Sequence, residues 1–503
     1  MPCKLFFTTT LAITGTLCSS LIAQEDPPVE PTDAQNTSAD KPNIVFIFMD
    51  DMGYGDVKGL NPERCKIPTP HMDKMMEQGI TFTDAHTSSS VCTPSRYSVI
   101  TGRYCWRTKK QGGVLNGFGK PLIPDSRETV ASVLKKQGYN TCMIGKWHIG
   151  MTFPKEGRAT NWKGTITNGP HNLGFDYFFG ISGSLDMAPY IYIENNKFVG
   201  EATTTIEPHP RRKGPAHADF QVINVLDELA EKSVEYINQQ EKDKPFFAYI
   251  SLPSPHTPIV PTAKWKGKSG LGDYGDFMMQ TDDFVGTIVK ALDNKDLSQN
   301  TLLLVSSDNG CSYVQAKVEE LEKGGHFPSA QYRGYKADLW EGGHRVPFII
   351  KWPAKVKPAT VSNEIISLTD FMATCADIAG AKIPTNAAED SVSFLPALEG
   401  KKIETSRKGI INHSMKGHFA YREGKWKLLF SKGNGGFKKQ NITKAKGQLY
   451  DLEADPGETK DLFSEKPEVV EKLTAQMELY IKNGRSNEGP KVPNDTDKIK
   501  LWK

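Results

Sequence analysis

The sequence has little net charge, few cysteines and, beyond its N-terminus, no long apolar run. Its 503 residues carry 62 Lys and Arg against 59 Asp and Glu, so the formal net charge is only +3. That balance provides no broad positive field for nucleic acid or for an anionic membrane surface. Past residue 23 no apolar stretch is long enough to cross a bilayer. We therefore expect neither a nucleic-acid partner nor stable membrane insertion.

Cysteine is scarce, with eight in the whole chain. Two of them, Cys3 and Cys18, lie in the N-terminal apolar stretch described next. The other six have neither the paired spacing of a zinc site nor the density of a disulfide scaffold. They fit buried small apolar side chains or, in an oxidising compartment, one or two disulfides, and their spacing favours no particular pairing.

Residues 1–23 have the pattern of a secretory signal. Lys4 is their only charge, residues 5–22 are mainly apolar, and the small residue Ala23 follows. A membrane anchor is the alternative, which the short length and the threonines disfavour. We expect export to a periplasm or to the medium, or to a lysosome in a eukaryote. Residues 24–41, rich in proline and acidic residues, are predicted to be a linker.

From residue 43 onward, short apolar runs alternate with helical patterns, which is typical of an α/β fold. The pattern predicts a large, mostly parallel sheet sandwiched by helices. Strands are predicted at 44–49, 141–144, 246–252 and 302–306. Helices are predicted at 72–78, 129–137, 220–239, 277–292 and 369–378.

The pattern changes after about residue 391. Residues 418–431 alternate inward and outward around a Glu-Gly-Lys turn, which predicts a hairpin, and residues 448–452 predict another strand. A helix is predicted at 468–482. We therefore expect a catalytic domain over 42–390 and a smaller C-terminal α+β subdomain over 391–503.

Polar residues follow all four predicted strands of the large sheet. Any one such segment is typical of an ordinary loop, but ligands of α/β sheets bind at the carboxyl ends of strands. Four together therefore predict a single site. The residues after the strands are Asp50 and Asp51, Lys146 and His148, His256, and Asp308 and Asn309.

The acidic members of this set indicate a metal ion. Adjacent carboxylates raise each other's pKa unless a cation neutralises them. Asp50, Asp51, Asp308 and Asn309 offer only oxygen donors. Oxygen ligands favour Ca²⁺ or Mg²⁺ over zinc, whose sites prefer histidine and thiolate.

A further segment, CTPSRYSVITGR over 92–103, has the features of a helix that starts at Cys92. Pro94 suits the first turn and Gly102 suits the end. Such an N-terminus favours anions, and Arg96 lies one turn further on. Cys92 would be an inert cysteine beside a helix cap if taken alone, but a neighbouring metal site favours a chemical role. Lys336, in the segment 334–348, would add a cation, and the following Glu-Gly-Gly suits a tight turn.

With these motifs the chain resembles the formylglycine-dependent type I sulfatases of the alkaline phosphatase superfamily. The matching parts are DDMG, CTPSR with ITGR, GKWH, PHTP, DNG, the Lys-x4-Glu-Gly-Gly turn and the terminal LYDLEADPGETKDL. They cover nearly the whole chain after residue 41. The signature around the cysteine is the most specific of them, since Cys-x-Pro-x-Arg is the substrate of the enzymes that make formylglycine.

The resemblance implies a role for each candidate residue. Cys92 would be oxidised to formylglycine by a maturation enzyme, and its hydrate would attack the sulfate ester. The modified residue would bind Ca²⁺, with Mg²⁺ as the alternative, together with Asp50, Asp51, Asp308 and Asn309. In the same family pattern, Arg96 and His148 would orient the diol, Lys146 and Lys336 would hold the sulfate, and His256 would protonate the departing oxygen.

The substrate implied by the resemblance is a sulfated saccharide, with the 6-sulfate of galactose or N-acetylgalactosamine as the leading expectation. The polar and aromatic loop 183–192 and the stretch around His217 are candidates for lining a sugar pocket. Two alternatives stay open: a phosphate or phosphonate monoester hydrolase of the same superfamily, and a non-catalytic protein that binds sulfated glycans.

Overall fold

The computed structural model describes residues 41–438, 440 and 442–503. The predicted signal at 1–23 and nearly all of the predicted linker lie outside these residues. Ten strands form one large sheet. In chain order they are β1 Asn43–Asp50, β2 Ile80–Phe82, β3 Asn140–Lys146, β4 Tyr177–Ile181, β5 Ile193–Glu194, β6 Lys197–Phe198, β7 Phe246–Pro255, β8 Thr301–Ser307, β9 Phe348–Lys351 and β10 Thr360–Ser362.

The large sheet has the spatial order β10-β2-β9-β8-β1-β7-β3-β4-β5-β6. Its centre, from β8 to β4, is parallel, while β9 and β5 run antiparallel to their neighbours. All eight residues of β1 are buried because helices cover both faces. The four predicted strands are confirmed as β1, β3, β7 and β8, and each is longer than its apolar run.

Ten α-helices accompany the sheet within the described residues. They are α1 Pro70–Gln78, α2 Cys92–Thr101, α3 Val130–Lys136, α4 Val225–Asn238, α5 Gly272–Asn294, α6 Val318–Lys323, α7 Glu341–His344, α8 Phe371–Ala379, α9 Leu395–Leu398 and α10 Pro467–Asn483. The predicted helices are confirmed, although the one expected from residue 220 begins at Val225. Residues 217–224 form successive turns instead, in which Asn224 N donates to Gln221 O at 3.0 Å.

A separate antiparallel sheet of four strands follows near the C-terminus. It contains β11 Ile410–His413, β12 Phe419–Glu423, β13 Trp426–Leu429 and β14 Gln448–Asp451, in that order. The predicted hairpin is β12–β13, and the predicted last strand is β14. Helix α10 packs its apolar face against this sheet, so that Leu473 and Met477 share a core with Leu428 and Leu449. The boundary between the two parts near residue 390 stays a prediction.

Three two-stranded pairs complete the strands of the described residues: Ala85–His86 with Ile366–Ser367, Lys155–Glu156 with Ala159–Thr160, and Thr204–Ile206 with Gly214–Ala216. None of the described helices has the length and apolarity needed to cross a bilayer. The six cysteines from Cys65 to Cys375 are buried and unpaired, which agrees with the first of the two predicted alternatives, buried small side chains, and not with disulfides. Apart from Cys92, they pack as small apolar residues.

A buried ionic network connects the four-stranded sheet to helix α7. The Lys427 ammonium on β13 lies 2.9 Å from the Glu341 carboxylate of α7 and 2.8 Å from that of Glu458. Arg345 adds a second cation, at 2.9 Å from Glu341. Glu341 is the first residue of the short buried helix α7, whereas the sequence predicted a tight turn there. His86, Glu341 and His344 are close enough to hold a metal ion, but these cations already neutralise the carboxylate.

Replacing Lys427 with methionine should destabilise the protein strongly. The change leaves Glu341 and Glu458 buried without their shared cation, and breaking a buried ion pair costs about 3–5 kcal/mol. Denaturant unfolding measures this loss. Lys425→Met provides the matched control in the same hairpin, because Lys425 pairs with Asp451 at the surface and its loss should leave stability unchanged. Equal stability of the two variants would contradict the structural role of the network.

Candidate active site

The carboxyl ends of the central strands bring the candidate residues to one edge of the sheet. β1 ends at Asp50 and β8 ends at Ser307, and the two strands are in register up to Met49 and Ser307. Asp308 and Asn309 therefore come next to Asp50 and Asp51, although 257 residues separate Asp51 from Asp308. The chain reverses direction at once after β1, and Asp51 has a left-handed backbone with φ of 68°.

Four of these residues form a buried cluster of oxygen atoms. Asp51 N donates to Asp308 Oδ1 at 3.2 Å, and Asn309 Nδ2 donates to Asp51 Oδ1 at 2.7 Å. Asp50 Oδ1 and Asn309 Oδ1 are buried and have no hydrogen-bond partner among the described residues. Buried oxygen atoms without a donor are uncommon in native proteins, so these two are available to bind a ligand.

Three cationic side chains surround the cluster. Arg96 Nη2 lies 2.8 Å from Asp308 Oδ2, and its Nε donates to the same oxygen at 2.9 Å. The Lys146 ammonium lies 2.5 Å from Asp50, and the Lys336 ammonium lies 2.6 Å from Asp51. Arg96 and Lys146 are fully buried, and Lys336 is nearly so. Lys146 and Lys336, which lie in distant segments of the chain, thus contact the predicted metal ligands Asp50 and Asp51.

The pKa values of Asp308 and Asp50 are shifted in opposite directions. Burial and the nearby Asp50 charge raise the pKa of Asp308 to about 7. Burial opposes ionisation of Asp50 as well, but the positive charges of Lys146 and Arg96, joined by His256 when that ring is protonated, outweigh it and hold the pKa of Asp50 below its usual range. Two carboxylates at this separation do not both ionise freely without added positive charge. A divalent cation would supply that charge, so the donor set fits an ion that prefers oxygen.

Cys92 lies beside the cluster as the first residue of α2. One oxygen of Asp50, one of Asp308 and Cys92 Sγ all lie within 4.8 Å of one another. Gly102 ends the helix with a φ of 62°, as its position in the sequence predicts. Burial raises the pKa of the Cys92 thiol to about 11. The thiolate, which is the reactive form of cysteine, is therefore disfavoured here.

The two candidate histidines differ in which ring nitrogen is free. His148 Nε2 donates to Leu115 O at 2.8 Å, which leaves Nδ1 buried and without a partner among the described residues. His256 Nδ1 donates to Thr257 O at 2.7 Å, which leaves Nε2 at 3.8 Å from Asp51 Oδ2. These tautomers are assigned from the hydrogen-bond network. Burial lowers the pKa of both rings, so each is neutral unless an anion comes close.

A cavity of about 790 Å³ opens onto this cluster, with Cys92, His256 and Lys336 in its lining. This volume suits a ligand of one or more sugar rings. Asp186 and Met187 of the loop 183–192 also line it, as expected. His217 does not, and Arg212 lies there instead, 3.2 Å from Asp186.

Sequence patterns missed several residues that support the site. Ser251 on β7 accepts a short hydrogen bond from Arg96 and donates to Lys146 O at 2.6 Å, so it positions both cationic segments. Asn434 contributes to the cavity from the C-terminal part and donates to Asp338 Oδ1 at 2.8 Å. An isolated Ser in a strand or Asn in a loop carries no spacing signal, and only the three-dimensional fold reveals these roles.

Comparisons with known proteins agree with the geometry. The sulfatase family model matches residues 42–381, and the model of the N-sulphoglucosamine sulphohydrolase C-terminal region matches 335–486. An N-acetylgalactosamine-6-O-sulfatase of Bacteroides thetaiotaomicron is 34% identical over 90% of this chain and 94% of its own length. Human arylsulfatase A is 30% identical over 87% of each chain.

A solved Bacteroides thetaiotaomicron structure, described with the metabolism of multiple glycosaminoglycans, superposes with a TM-score of 0.79. The two proteins are 32% identical, and the match covers 88% of this chain and 99% of that one. The expected alkaline phosphatase-like architecture is confirmed. The chain belongs to the sulfatase family and is a sulfuric ester hydrolase.

Proposed function

We propose that this sulfatase hydrolyses sulfate esters of carbohydrates, with the 6-sulfate of N-acetylgalactosamine or galactose as its substrate. The observation that carries the proposal is the position of Cys92, which faces a sugar-sized cavity beside three aspartates and three cations. The N-acetylgalactosamine-6-O-sulfatase relative, which aligns over most of the chain, supports the substrate class.

We further propose that Cys92 is oxidised to formylglycine by a maturation enzyme before the protein acts. The aldehyde adds water to give a geminal diol. The raised thiol pKa supports this step, because an unmodified cysteine would be a poor nucleophile here. A diol also solves a chemical problem, since a sulfated thiol has no easy route to release sulfate.

The proposed reaction has two stages. One diol hydroxyl loses its proton to the surrounding water, its oxygen attacks the sulfur, and the bond between sulfur and the sugar oxygen breaks. His256, which the bound sulfate ester keeps protonated, gives the sugar oxygen a proton from Nε2. The second hydroxyl then loses its proton to His148 Nδ1, the carbonyl forms again, and the C–O bond to the sulfate breaks. Lys146 and Lys336 neutralise the sulfate oxygens during both stages. Addition of water to the aldehyde restores the diol.

Asp50, Asp51, Asp308, Asn309 and the modified residue 92 are the proposed ligands of a cation, with Ca²⁺ as the leading choice and Mg²⁺ as the alternative. When bound, such an ion lowers the pKa of a coordinated hydroxyl and polarises sulfate oxygens. It would also compete with Lys146 and Lys336 for the carboxylates. Both ammonium groups would then be free to contact the substrate.

Residues 1–23 support export of the protein, although they lie outside the described structure.

A panel of sulfated sugars tests the substrate. Purified protein, made in a host with the maturation enzyme, should release sulfate from the 6-sulfates of galactose or N-acetylgalactosamine at least about tenfold faster than from the 2-, 3- or 4-sulfates. Discrimination of this size corresponds to about 1.4 kcal/mol in the transition state. Ion chromatography of free sulfate gives the rates. Preference for a different position would refute the substrate assignment, and exclusive turnover of phosphate esters would refute the reaction.

Intact-mass analysis tests the modification. Conversion of Cys92 to formylglycine loses sulfur and two hydrogens and gains one oxygen, so the mass should fall by about 18 Da. Cys92→Ala should abolish this mass change and lower kcat/KM by at least about 10³-fold, since the nucleophile is gone. Cys375→Ala removes another buried cysteine and should retain both the mass change and the activity. An active wild-type protein with an unmodified Cys92 would contradict the mechanism.

A further inference from the structure

A second cavity, of about 340 Å³, lies beside the active-site cavity. The two cavities share Asn434 and Gln440 in their linings. The segment that includes residues 431–438 therefore separates them. Phe437 and Lys438 face the active-site cavity, whereas Lys432 and Gly433 face the second one. We call this second space the basic cavity, for the three lysines in its lining: Lys416, Lys432 and Lys503.

The basic cavity has an unusual charge for this protein. None of its nine lining residues has an acidic side chain, although the chain as a whole has nearly equal numbers of acidic and basic residues. Within the described residues, no carboxylate lies within 4.0 Å of the ammonium groups of Lys416, Lys432 or Lys503. The charge of a surface lysine is usually stabilised by solvent or by a nearby carboxylate. Here three lysines, of which Lys416 and Lys432 are exposed, line one concave space.

Lys503 is the most constrained of the three. Its ammonium donates to Gly417 O at 2.5 Å and lies 5.6 Å from the centre of the Phe419 ring. Burial and the nearby Lys500 lower the pKa of Lys503, which means that the surroundings disfavour its charge. An anion in the cavity would reverse that effect.

Backbone hydrogen bonds fix the basic cavity to the segment that carries Lys336. Leu339 N donates to Asn434 O at 2.8 Å, and Met415 N donates to Ala337 O at 3.2 Å. Lys416 N in turn donates to Gly435 O at 3.2 Å. The distance from the reacting centre to the basic cavity is therefore set by the fold.

The mouth of the active-site cavity is apolar. Three of the eight exposed large hydrophobic side chains of the described residues line it, namely Tyr313, Val314 and Phe437. Val314 is 64% exposed and Phe437 is 59% exposed. Exposed apolar groups that cluster in this way mark binding surfaces. A saccharide longer than one sugar would cover them, and its next ring would lie near the wall shared with the basic cavity.

We propose that the basic cavity binds an anionic group, a carboxylate or a sulfate, on the sugar joined to the one that loses its sulfate. The inference rests on the proposed function and makes it narrower, because the preferred substrate becomes an acidic oligosaccharide with a second negative charge.

Three substrates with the same 6-sulfated sugar test the subsite. One is the free sugar, the second carries a neutral sugar and the third carries a uronic acid in the same linkage. The uronic acid should raise kcat/KM about tenfold above the neutral extension, because hydrogen bonds to charged groups are the stronger ones. This gain should shrink with added salt. A fourth substrate with a sulfate in place of the carboxylate identifies the preferred anion. Equal kcat/KM for the neutral and acidic extensions would overturn the proposal.

Charge-neutralising variants assign the gain to the cavity. The double variant Lys416→Gln/Lys432→Gln should lower the ratio of acidic to neutral kcat/KM about tenfold. Lys290→Gln removes one positive charge on the exposed face of α5, outside the lining of the basic cavity. This variant should leave the ratio as in the wild type. A ratio that the double variant does not alter would refute the assignment.

Failure of the proposed function would look different. If none of the substrates is desulfated, the substrate class is wrong, but the subsite can still be tested by calorimetry with the acidic disaccharide. Binding about tenfold weaker in the double variant than in the wild type and Lys290→Gln would support the basic cavity. Equal affinity in all three proteins would overturn it.

Discussion

Repulsion between carboxylates buried at the ends of β1 and β8 is the constraint on which the site depends. The parallel register of these strands places Asp308 next to Asp50 and Asp51, where water cannot screen their charges. Arg96, Lys146 and Lys336 supply three positive charges in compensation. Asp50 and Asn309 nevertheless keep a buried oxygen without a donor. The fold thus maintains a cluster of oxygens that a cation would stabilise further.

The same arrangement explains why the reactive residue starts a helix. Cys92 enters the cluster from α2, and Arg96 on the next turn reaches back to Asp308, so one helix provides both the proposed nucleophile and a neutralising charge. Ser251 fixes Arg96 to the backbone of Lys146. Distant chain segments are therefore held rigidly around residue 92, which electrostatic catalysis requires.

Much of the active site could be predicted from the sequence, because the patterns that indicate it lie within short stretches of the chain. Apolar runs define β1, β3, β7 and β8, and the polar residues after them are adjacent in the chain, as at Asp50 and Asp51. Contacts between distant single residues have no such pattern. Ser251, the Asp186–Arg212 pair and the Lys427 network emerged only from the fold, which also decided between the two alternatives for the cysteines, since all six are buried and unpaired. The roles of the site residues and the identity of the ion stay predictions.

Metal analysis tests the central claim most directly. Purified wild-type protein should contain about one divalent ion per chain, Ca²⁺ or Mg²⁺, and adding that ion to chelated protein should raise its Tm. Asp308→Asn should lose most of the bound ion and the rise in Tm. Asp338→Asn, a matched change in the cavity lining outside the cluster, should retain both. Wild-type protein that is fully active without a divalent ion, or Asp308→Asn protein that binds the ion as tightly as wild type, would contradict the account.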